Sequence, residues 1–216
     1  MMEAISWVTD NFIEIFGAVT GMVYVFLEIR QKIWLWPVGV VTSAVYLWVF
    51  FTGKLYADMS LQGYYLVISA IGWYWWVKGT GHGAQGEGRE VILQVTRLKF
   101  KTGAILATVF TVLYFTLWII LSRLTDSPVP EVDSFITSLS VVATWMLARK
   151  IYEHWYLWIV VNSVATVLFI VRGLYPTVLL YLVYGIMSFA GLIEWKKSLK
   201  DEPLPVKDFK AGSPGN

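Results

Sequence analysis

Polar and aromatic side chains recur at steps of three and four residues inside long stretches that are otherwise apolar. This spacing places them on one face of a helix, and in hydrocarbon such a face must turn toward protein, a cavity or water. The candidate binding residues chosen on this basis are Trp36, Ser43, Gln62, Tyr65, Trp73, Thr137, Thr144, Trp155, Trp158, Asn162, Tyr181 and Tyr184. We therefore predict one inward-facing surface, assembled from several helices, that binds a small molecule.

Asn162 is the most informative member of this set because it lies in the middle of an apolar stretch, away from water. A buried amide needs hydrogen-bond partners, and a bound substrate is one such partner. The alternative is a hydrogen bond between two helices, which is worth about 1 kcal/mol in a membrane. The tryptophans of the set would form aromatic walls that suit a flat heterocycle and attract a cation.

The residue types that are missing restrict the chemistry further. No Lys or Arg lies within the apolar stretches, so a buried phosphate would lack its usual partner, and we expect an uncharged or cationic substrate. The sequence contains no Walker motif, Ser–His–Asp set, acid pair or histidine cluster, and Cys is absent. These absences predict a protein that is not an enzyme and has no metal site, no cofactor and no nucleic-acid partner.

The elements that would position these residues are seven apolar stretches of about the length that crosses a bilayer. The chain is 57% hydrophobic and only 15% charged, so an aqueous surface of normal composition could not be built from it. The expected fold is an all-α integral membrane protein with seven transmembrane helices. Their expected ranges are Phe12–Ile29, Ile33–Thr52, Met59–Val77, Gly103–Leu121, Ser134–Ala148, Glu153–Val171 and Leu174–Trp195.

Residues near the ends of these stretches are predicted to have structural roles. Four acidic residues are expected to be interfacial or paired with a nearby Lys or Arg: Glu14, Glu28, Glu153 and Glu194. Four tryptophans are expected in the belts at the membrane surface: Trp7, Trp34, Trp75 and Trp195. Gly17 and Gly21 form a GxxxG pair, which predicts close helix packing.

The distribution of basic residues predicts the orientation in the membrane. Of the 17 Lys and Arg residues, only Lys54, Arg123 and Arg172 fall in connections on one side. The positive-inside rule then places the N-terminus outside and the C-terminus in the cytoplasm.

The stretches are arranged as three, one and three, and the two groups of three resemble each other at an offset of about 120 residues. A single extra crossing between them gives both groups the same orientation, as in parallel repeats related by an axis along the membrane normal. The predicted units are a first three-helix bundle at 11–77, a cytoplasmic Gly-rich and basic connection at 78–101, a linker helix at 102–122, a second three-helix bundle at 133–196 and a cytoplasmic tail at 197–216. Duplicated bundles of this kind favour a transporter.

Short motifs in both halves resemble those of the Pnu-type vitamin transporters, from about Glu14 to Lys197. The motifs are Trp36-Pro37-Val38-Gly39, Gly53-Lys54-Leu55-Tyr56-Ala57-Asp58, Leu61-Gln62, Gly72-Trp73-Tyr74-Trp75-Trp76, Asp133, Ala148-Arg149-Lys150, Trp155, Trp158, Asn162, Gly191 and Trp195. The resemblance implies two three-helix bundles joined by a linker helix, akin to the sugar-transporting SWEET proteins. It also implies a homo-oligomer, with a trimer as one form, in the bacterial inner membrane.

The function that the resemblance implies is facilitated diffusion of nicotinamide riboside, a vitamin B3 form and NAD precursor. A cytoplasmic kinase would then trap the riboside by phosphorylation. Sister transporters with similar motifs carry thiamine or riboflavin, so a related vitamin is the alternative substrate. An intramembrane enzyme or a non-transporting sensor remains the alternative of a different class.

Overall fold

The computed structural model describes residues 12–52, 56–78, 93–125 and 127–200. Within these ranges the chain forms seven α-helices, as the sequence predicts. They are α1 (Phe12–Ile29), α2 (Leu35–Thr52), α3 (Tyr56–Lys78), α4 (Phe100–Leu124), α5 (Pro130–Ala148), α6 (His154–Val171) and α7 (Tyr175–Lys200).

Short turns connect most neighbouring helices, which brings them together as antiparallel pairs. The turn after α1 passes through Gln31 and the turn after α5 passes through Lys150, both with positive φ. The turn after α6 uses Gly173, where φ is 71° and a side chain would be strained. Pro130 begins α5, where a missing N–H costs nothing.

Three helices are long and apolar enough to cross a membrane: Phe100–Leu124, His154–Val171 and Tyr175–Leu199. Two shorter apolar helices, Ile15–Ile29 and Leu35–Phe51, accompany them. The predicted Gly-rich part of the connection at 78–101 falls largely outside the described residues. Its last part is extended, and Thr96 exchanges backbone hydrogen bonds with Lys150 and Tyr152 in the turn before α6.

Six of the helices pack around a common centre. α2 packs against α3 and α6 against α7, while α1 packs against both α2 and α7, and α5 against both α3 and α6. α4 lies outside this group and packs against α5.

Two tryptophan pairs close one end of this centre. The rings of Trp36 and Trp76 meet edge to face with centroids 5.4 Å apart, and those of Trp155 and Trp195 do the same at 5.8 Å. The members of the second pair follow those of the first by 119 residues, which refines the offset of about 120 predicted from the sequence. All four side chains belong to one buried cluster.

Each pair depends on a glycine of the neighbouring helix. A Cβ added at Gly72 would overlap the six-membered ring of Trp36, and one at Gly191 would overlap the ring of Trp155. Gly191 also follows Gly72 by 119 residues. The large rings fit between the helices because these two positions carry no side chain.

Indole N–H groups also tie the third helix of each group to the other group. Trp76 Nε1 donates to the carbonyl of Ala148 at the end of α5, at 3.2 Å. Trp195 Nε1 donates to the carbonyl of Glu28 near the end of α1, at 3.0 Å. Carbonyls in the last turn of a helix lack intrahelical partners, so the bond from Trp76 satisfies an Ala148 carbonyl that would otherwise be costly to bury. The Glu28 carbonyl also accepts the backbone N–H of Gln31 at 3.0 Å, so the bond from Trp195 is a second one to the same oxygen.

The prediction that Trp195 belongs to a surface belt is therefore wrong, because its side chain is 0% exposed. Trp34 is 67% exposed and fits the predicted belt. Trp75 is half-buried and lies under the guanidinium of Arg149, 4.7 Å from the ring centroid. Trp7 lies outside the described residues.

The glycine–tryptophan contacts predict the effect of small substitutions. Gly72→Ala and Gly191→Ala should each destabilise the protein by about 1–3 kcal/mol, because overpacking forces the rings to move. Thermal unfolding of the detergent-solubilised protein would measure this loss. Gly63→Ala is the matched control, since a Cβ there meets no atom within 4 Å. Equal midpoints for Gly72→Ala and Gly63→Ala would contradict the prediction.

Candidate substrate-binding site

A cavity of about 870 Å³ lies at the centre of the six packed helices. Its lining comes from α1, α2, α3, α5, α6 and α7. Along α1 it reaches from Gly17 to Glu28, which is roughly 16 Å at the helical rise per residue. A cavity of this volume is large enough for a drug-sized molecule.

Most of the predicted binding residues meet at this cavity. Nine of them line it: Ser43, Gln62, Tyr65, Thr144, Trp155, Trp158, Asn162, Tyr181 and Tyr184. They come from five different helices and are far apart in the sequence. Their role in binding stays a prediction, but the surface that the spacing predicted exists.

The other three predicted residues lie elsewhere. Trp36 is fully buried in the tryptophan cluster, and Thr137 is half-buried on α5 away from the lining. Trp73 is 44% exposed on the outer side of α3. After Ser69, the face of α3 that packs against α2 is formed by Gly72 and Trp76. Trp73 lies on a different face of this helix.

The GxxxG pair has a more specific environment than helix packing alone. A Cβ at Gly17 would overlap the hydroxyl of Tyr46, and one at Gly21 would overlap the hydroxyl of Tyr184. All four residues line the cavity. The glycines therefore make room on α1 for tyrosines of α2 and α7, a role that their spacing did not reveal.

Asn162 lies on the cavity wall and is almost fully buried. Its side-chain Nδ2 donates to Ser188 Oγ on α7 at 3.0 Å, and Ser188 Oγ in turn donates to the carbonyl of Tyr184 at 2.8 Å. The helix–helix hydrogen bond considered as an alternative is thus present. An amide has two donor hydrogens and an accepting oxygen, so one contact leaves capacity for a ligand.

The two tryptophans of α6 that line the cavity offer donors as well. The Nε1 atoms of Trp155 and Trp158 are buried and have no hydrogen-bond partner in the described part of the chain. Buried N–H groups are normally satisfied, because leaving one unpaired costs about 1–3 kcal/mol. These two groups therefore fit a site that a polar ligand completes.

A buried acid–imidazole pair lies at the closed end of the cavity. His154 Nε2 is 3.0 Å from Glu28 Oε1, with the two side chains 0% and 2% exposed. His154 Nδ1 lies 2.7 Å from the carbonyl of Ile151. Since a carbonyl only accepts, Nδ1 carries a hydrogen and donates it, which leaves Nε2 to face Glu28.

The expectation for Glu28 is therefore wrong, because its partner is a histidine 126 residues away rather than a nearby Lys or Arg. Glu194 does meet the expectation, through an ion pair with Lys197 at 2.8 Å. Glu153 instead accepts the backbone N–H of Leu98 at 2.8 Å. The side chain of Glu14 lies outside the described residues. No local signal pairs Glu28 with His154, since they meet only because α1 and α6 both pack against α7.

The two ends of the cavity differ in exposure. Leu174 and Pro176, which line it beside the turn between α6 and α7, are exposed, Leu174 by 45%. Glu28 and Trp155 line the opposite end and are buried against the tryptophan cluster. The cavity is therefore closed on the side where α1 and α5 end.

Basic residues cluster around the closed end without entering the cavity. Lys150, in the turn after α5, places Nζ 4.3 Å from the centroid of Trp76. Burial lowers the pKa of the Lys150 ammonium to about 8.

Comparison with known proteins places the chain in a family. Residues 11–197 match a family model described as nicotinamide mononucleotide transporter. The chain belongs to this transporter family. With its apolar helices, membership makes the chain a multi-pass bacterial membrane protein.

The relatives of this chain are named as transporters of two different vitamins. The chain is 26% identical over 212 residues to the nicotinamide riboside transporter PnuC of Escherichia coli, covering 88% of this chain and 87% of that protein. It is 27% identical over 196 residues to the riboflavin/roseoflavin transporter RibM of Streptomyces davaonensis, with the same coverage of 88% and 87%. The crystal structure of the vitamin B3 transporter PnuC superposes with a TM-score of 0.68 at 28% identity, covering 92% of this chain and 87% of that one.

The pKa of Lys150 predicts how stability depends on pH. Its folded pKa of about 8 lies below the usual 10.5, so between these values the unfolded chain binds more protons and stability rises with pH. Thermal unfolding from pH 8 to 10 should show this rise, and Lys150→Met should reduce it. Lys197→Met is the control, because Lys197 is exposed. An unchanged slope in Lys150→Met would contradict the prediction.

Proposed function

We propose that the protein is a carrier for facilitated diffusion of nicotinamide riboside into the bacterial cell. The observation that supports this most is the composition of the cavity. It combines tryptophan and tyrosine rings with neutral polar groups, and its lining includes no Lys or Arg within the described residues. Several relatives that are named for nicotinamide riboside add independent support.

The chemistry of this riboside matches the lining group by group. Its pyridinium ring is flat and cationic, so the rings of Trp155 and Trp158 would attract it by about 1–2 kcal/mol in a dry site. Its carboxamide and ribose hydroxyls would hydrogen-bond with Asn162 and Gln62 and with the unpaired indole N–H groups. Ser43, Tyr65, Thr144, Tyr181 and Tyr184 would complete the polar wall.

The riboside fits better than the mononucleotide for which the family is described. A phosphate is normally held by Arg or Lys, and leaving it unpaired in a closed cavity is expensive. A cytoplasmic kinase would then phosphorylate the riboside and trap it, because the product could not return through the same cavity. The carrier itself would need no catalytic group, metal or ATP.

The alternation of access would come from a duplicated scaffold. α1–α3 and α5–α7 are the two proposed bundles, joined by α4 in a 3+1+3, SWEET-like arrangement. The tryptophan pairs, their glycines and their two indole–carbonyl bonds repeat between the bundles, which supports a parallel repeat. Rocking of one bundle against the other would open one end while closing the other.

The proposed orientation follows from the basic residues at the closed end, which the positive-inside rule assigns to the cytoplasm. The N-terminus would then be outside and the C-terminus inside the inner membrane. The described conformation would be closed to the cytoplasm and open toward the outside. Assembly as a homo-oligomer, including a trimer, remains part of the proposal.

A second candidate substrate is riboflavin. The similarity to RibM is as extensive as that to PnuC, and riboflavin is also a flat heterocycle with a hydroxylated chain. It differs in being uncharged. Thiamine, which is cationic and aromatic, is the third candidate of the same class.

A ligand panel separates these candidates. Isothermal titration calorimetry on the purified protein should detect nicotinamide riboside in the micromolar range or tighter and much weaker binding of its mononucleotide, riboflavin and thiamine. Counterflow of labelled riboside into proteoliposomes without ATP or an ion gradient should then show transport. Tighter binding of riboflavin would overturn the riboside proposal but not the carrier.

Asn162 provides the test of the binding surface. Asn162→Leu should weaken riboside binding tenfold or more, because it leaves polar groups of the ligand unpaired at about 1–3 kcal/mol. Ser163→Leu is the matched control, since Ser163 is exposed on the neighbouring face and bonds to the carbonyl of Ile159. Equal affinities of the two variants would remove Asn162 from the site.

A further inference from the structure

Glu28 is the single charged side chain in the lining of the cavity within the described residues. The expectation from the sequence was that it is interfacial or paired with a nearby Lys or Arg. Its side chain is instead 2% exposed and shares the cavity wall with Asn162, Trp155 and Trp158. A carboxylate at such a position acts on a ligand through a medium that screens poorly.

The contacts of Glu28 fix its position at the cavity wall. His154 Nε2 bonds to Oε1 from behind, and His154 is not part of the lining. Trp195 Nε1 donates to the backbone carbonyl of Glu28, which holds the main chain of α1. Of the two residues in the pair, Glu28 is the one that lines the cavity.

The surroundings of the pair separate His154 from the cavity. Tyr24, one turn earlier on α1, lines the cavity beside Glu28. The rings of Trp155 and Trp195 both have their centroids 4.7 Å from that of His154. Aromatic rings therefore cover the imidazole, while Glu28 lies at the cavity, so a ligand meets the carboxyl group before the imidazole.

We propose that Glu28, positioned by His154, is the specificity-determining group by which the cavity prefers a cationic ring to an uncharged ring of the same shape. This rests on the proposed function, because the cation is the pyridinium of nicotinamide riboside. It also gives a physical reason why this cavity would favour the riboside over the uncharged flavin that RibM is named for. The alternative is a purely structural role, in which the Glu28–His154 hydrogen bond only connects α1 to α6.

Two ligands of nearly equal shape but different charge distinguish recognition of charge by Glu28 from a purely structural role. Nicotinamide riboside is cationic, whereas its reduced dihydropyridine form is uncharged and keeps the carboxamide and the ribose. Calorimetry on the full-length protein in detergent would give the affinity of both, and the ratio of the two is the quantity of interest. We expect the wild-type protein to prefer the cation.

Glu28→Gln should reduce that preference roughly tenfold, because the amide keeps the shape and can still bond to His154 but carries no charge. The affinity for the uncharged form should change less than threefold. Glu194→Gln is the matched control: it removes an acidic residue of α7 that pairs with Lys197 at the surface, and both affinities should stay as in the wild type.

A second variant keeps the test decisive if Glu28→Gln does not fold. His154→Gln can still donate to Glu28 but removes the positive end of the pair, so the preference for the cation should stay at or above the wild-type value. Loss of the preference in His154→Gln would overturn the proposal. If Glu28→Gln weakened the binding of the cationic and the uncharged form equally, the proposal would also be overturned, and Glu28 would have a purely structural role.

The outcomes also distinguish this inference from the proposed function. If the wild-type protein binds neither form of the riboside, the proposed function fails and the inference fails with it. If it binds both and Glu28→Gln leaves the ratio unchanged, only the inference is wrong.

Discussion

Polar side chains cannot face hydrocarbon without large cost, and this constraint determines where the site of this protein lies. The outer faces of the helices carry exposed apolar residues such as Val67, Ile119 and Leu179. Neutral polar residues of six helices turn inward instead and meet around one cavity. The same arrangement of helices thus gives a polar cavity on the inside and an apolar surface that is compatible with lipid on the outside.

The closed end of the cavity shows how α1–α3 and α5–α7 meet tightly with large side chains. In each tryptophan pair one ring fits because a glycine faces it, and the indole N–H of the other ring bonds to a carbonyl of the other group of helices. These contacts are specific in distance and direction. The proposed alternation of access would have to break and remake them.

Basic and acidic side chains lie on different sides of the cavity wall. Arg149 and Lys150 stay outside the cavity, where they lie against the faces of Trp75 and Trp76. The carboxylate of Glu28 lies inside and is compensated from behind by His154. Within the described residues the cavity lining therefore has no Lys or Arg, and it combines one carboxyl group with several aromatic rings.

The sequence by itself determined the seven helices, the membrane environment and most of the polar surface, because helical periodicity and bilayer thickness are local properties. Asn162, Gln62 and Tyr184 were found in this way. Only the tertiary structure decided that Trp73 faces outward, that Trp195 is buried and that Glu28 pairs with His154. Those outcomes depend on how distant helices cross, since the buried face of a helix rotates with its neighbours and a pair 126 residues apart leaves no local pattern.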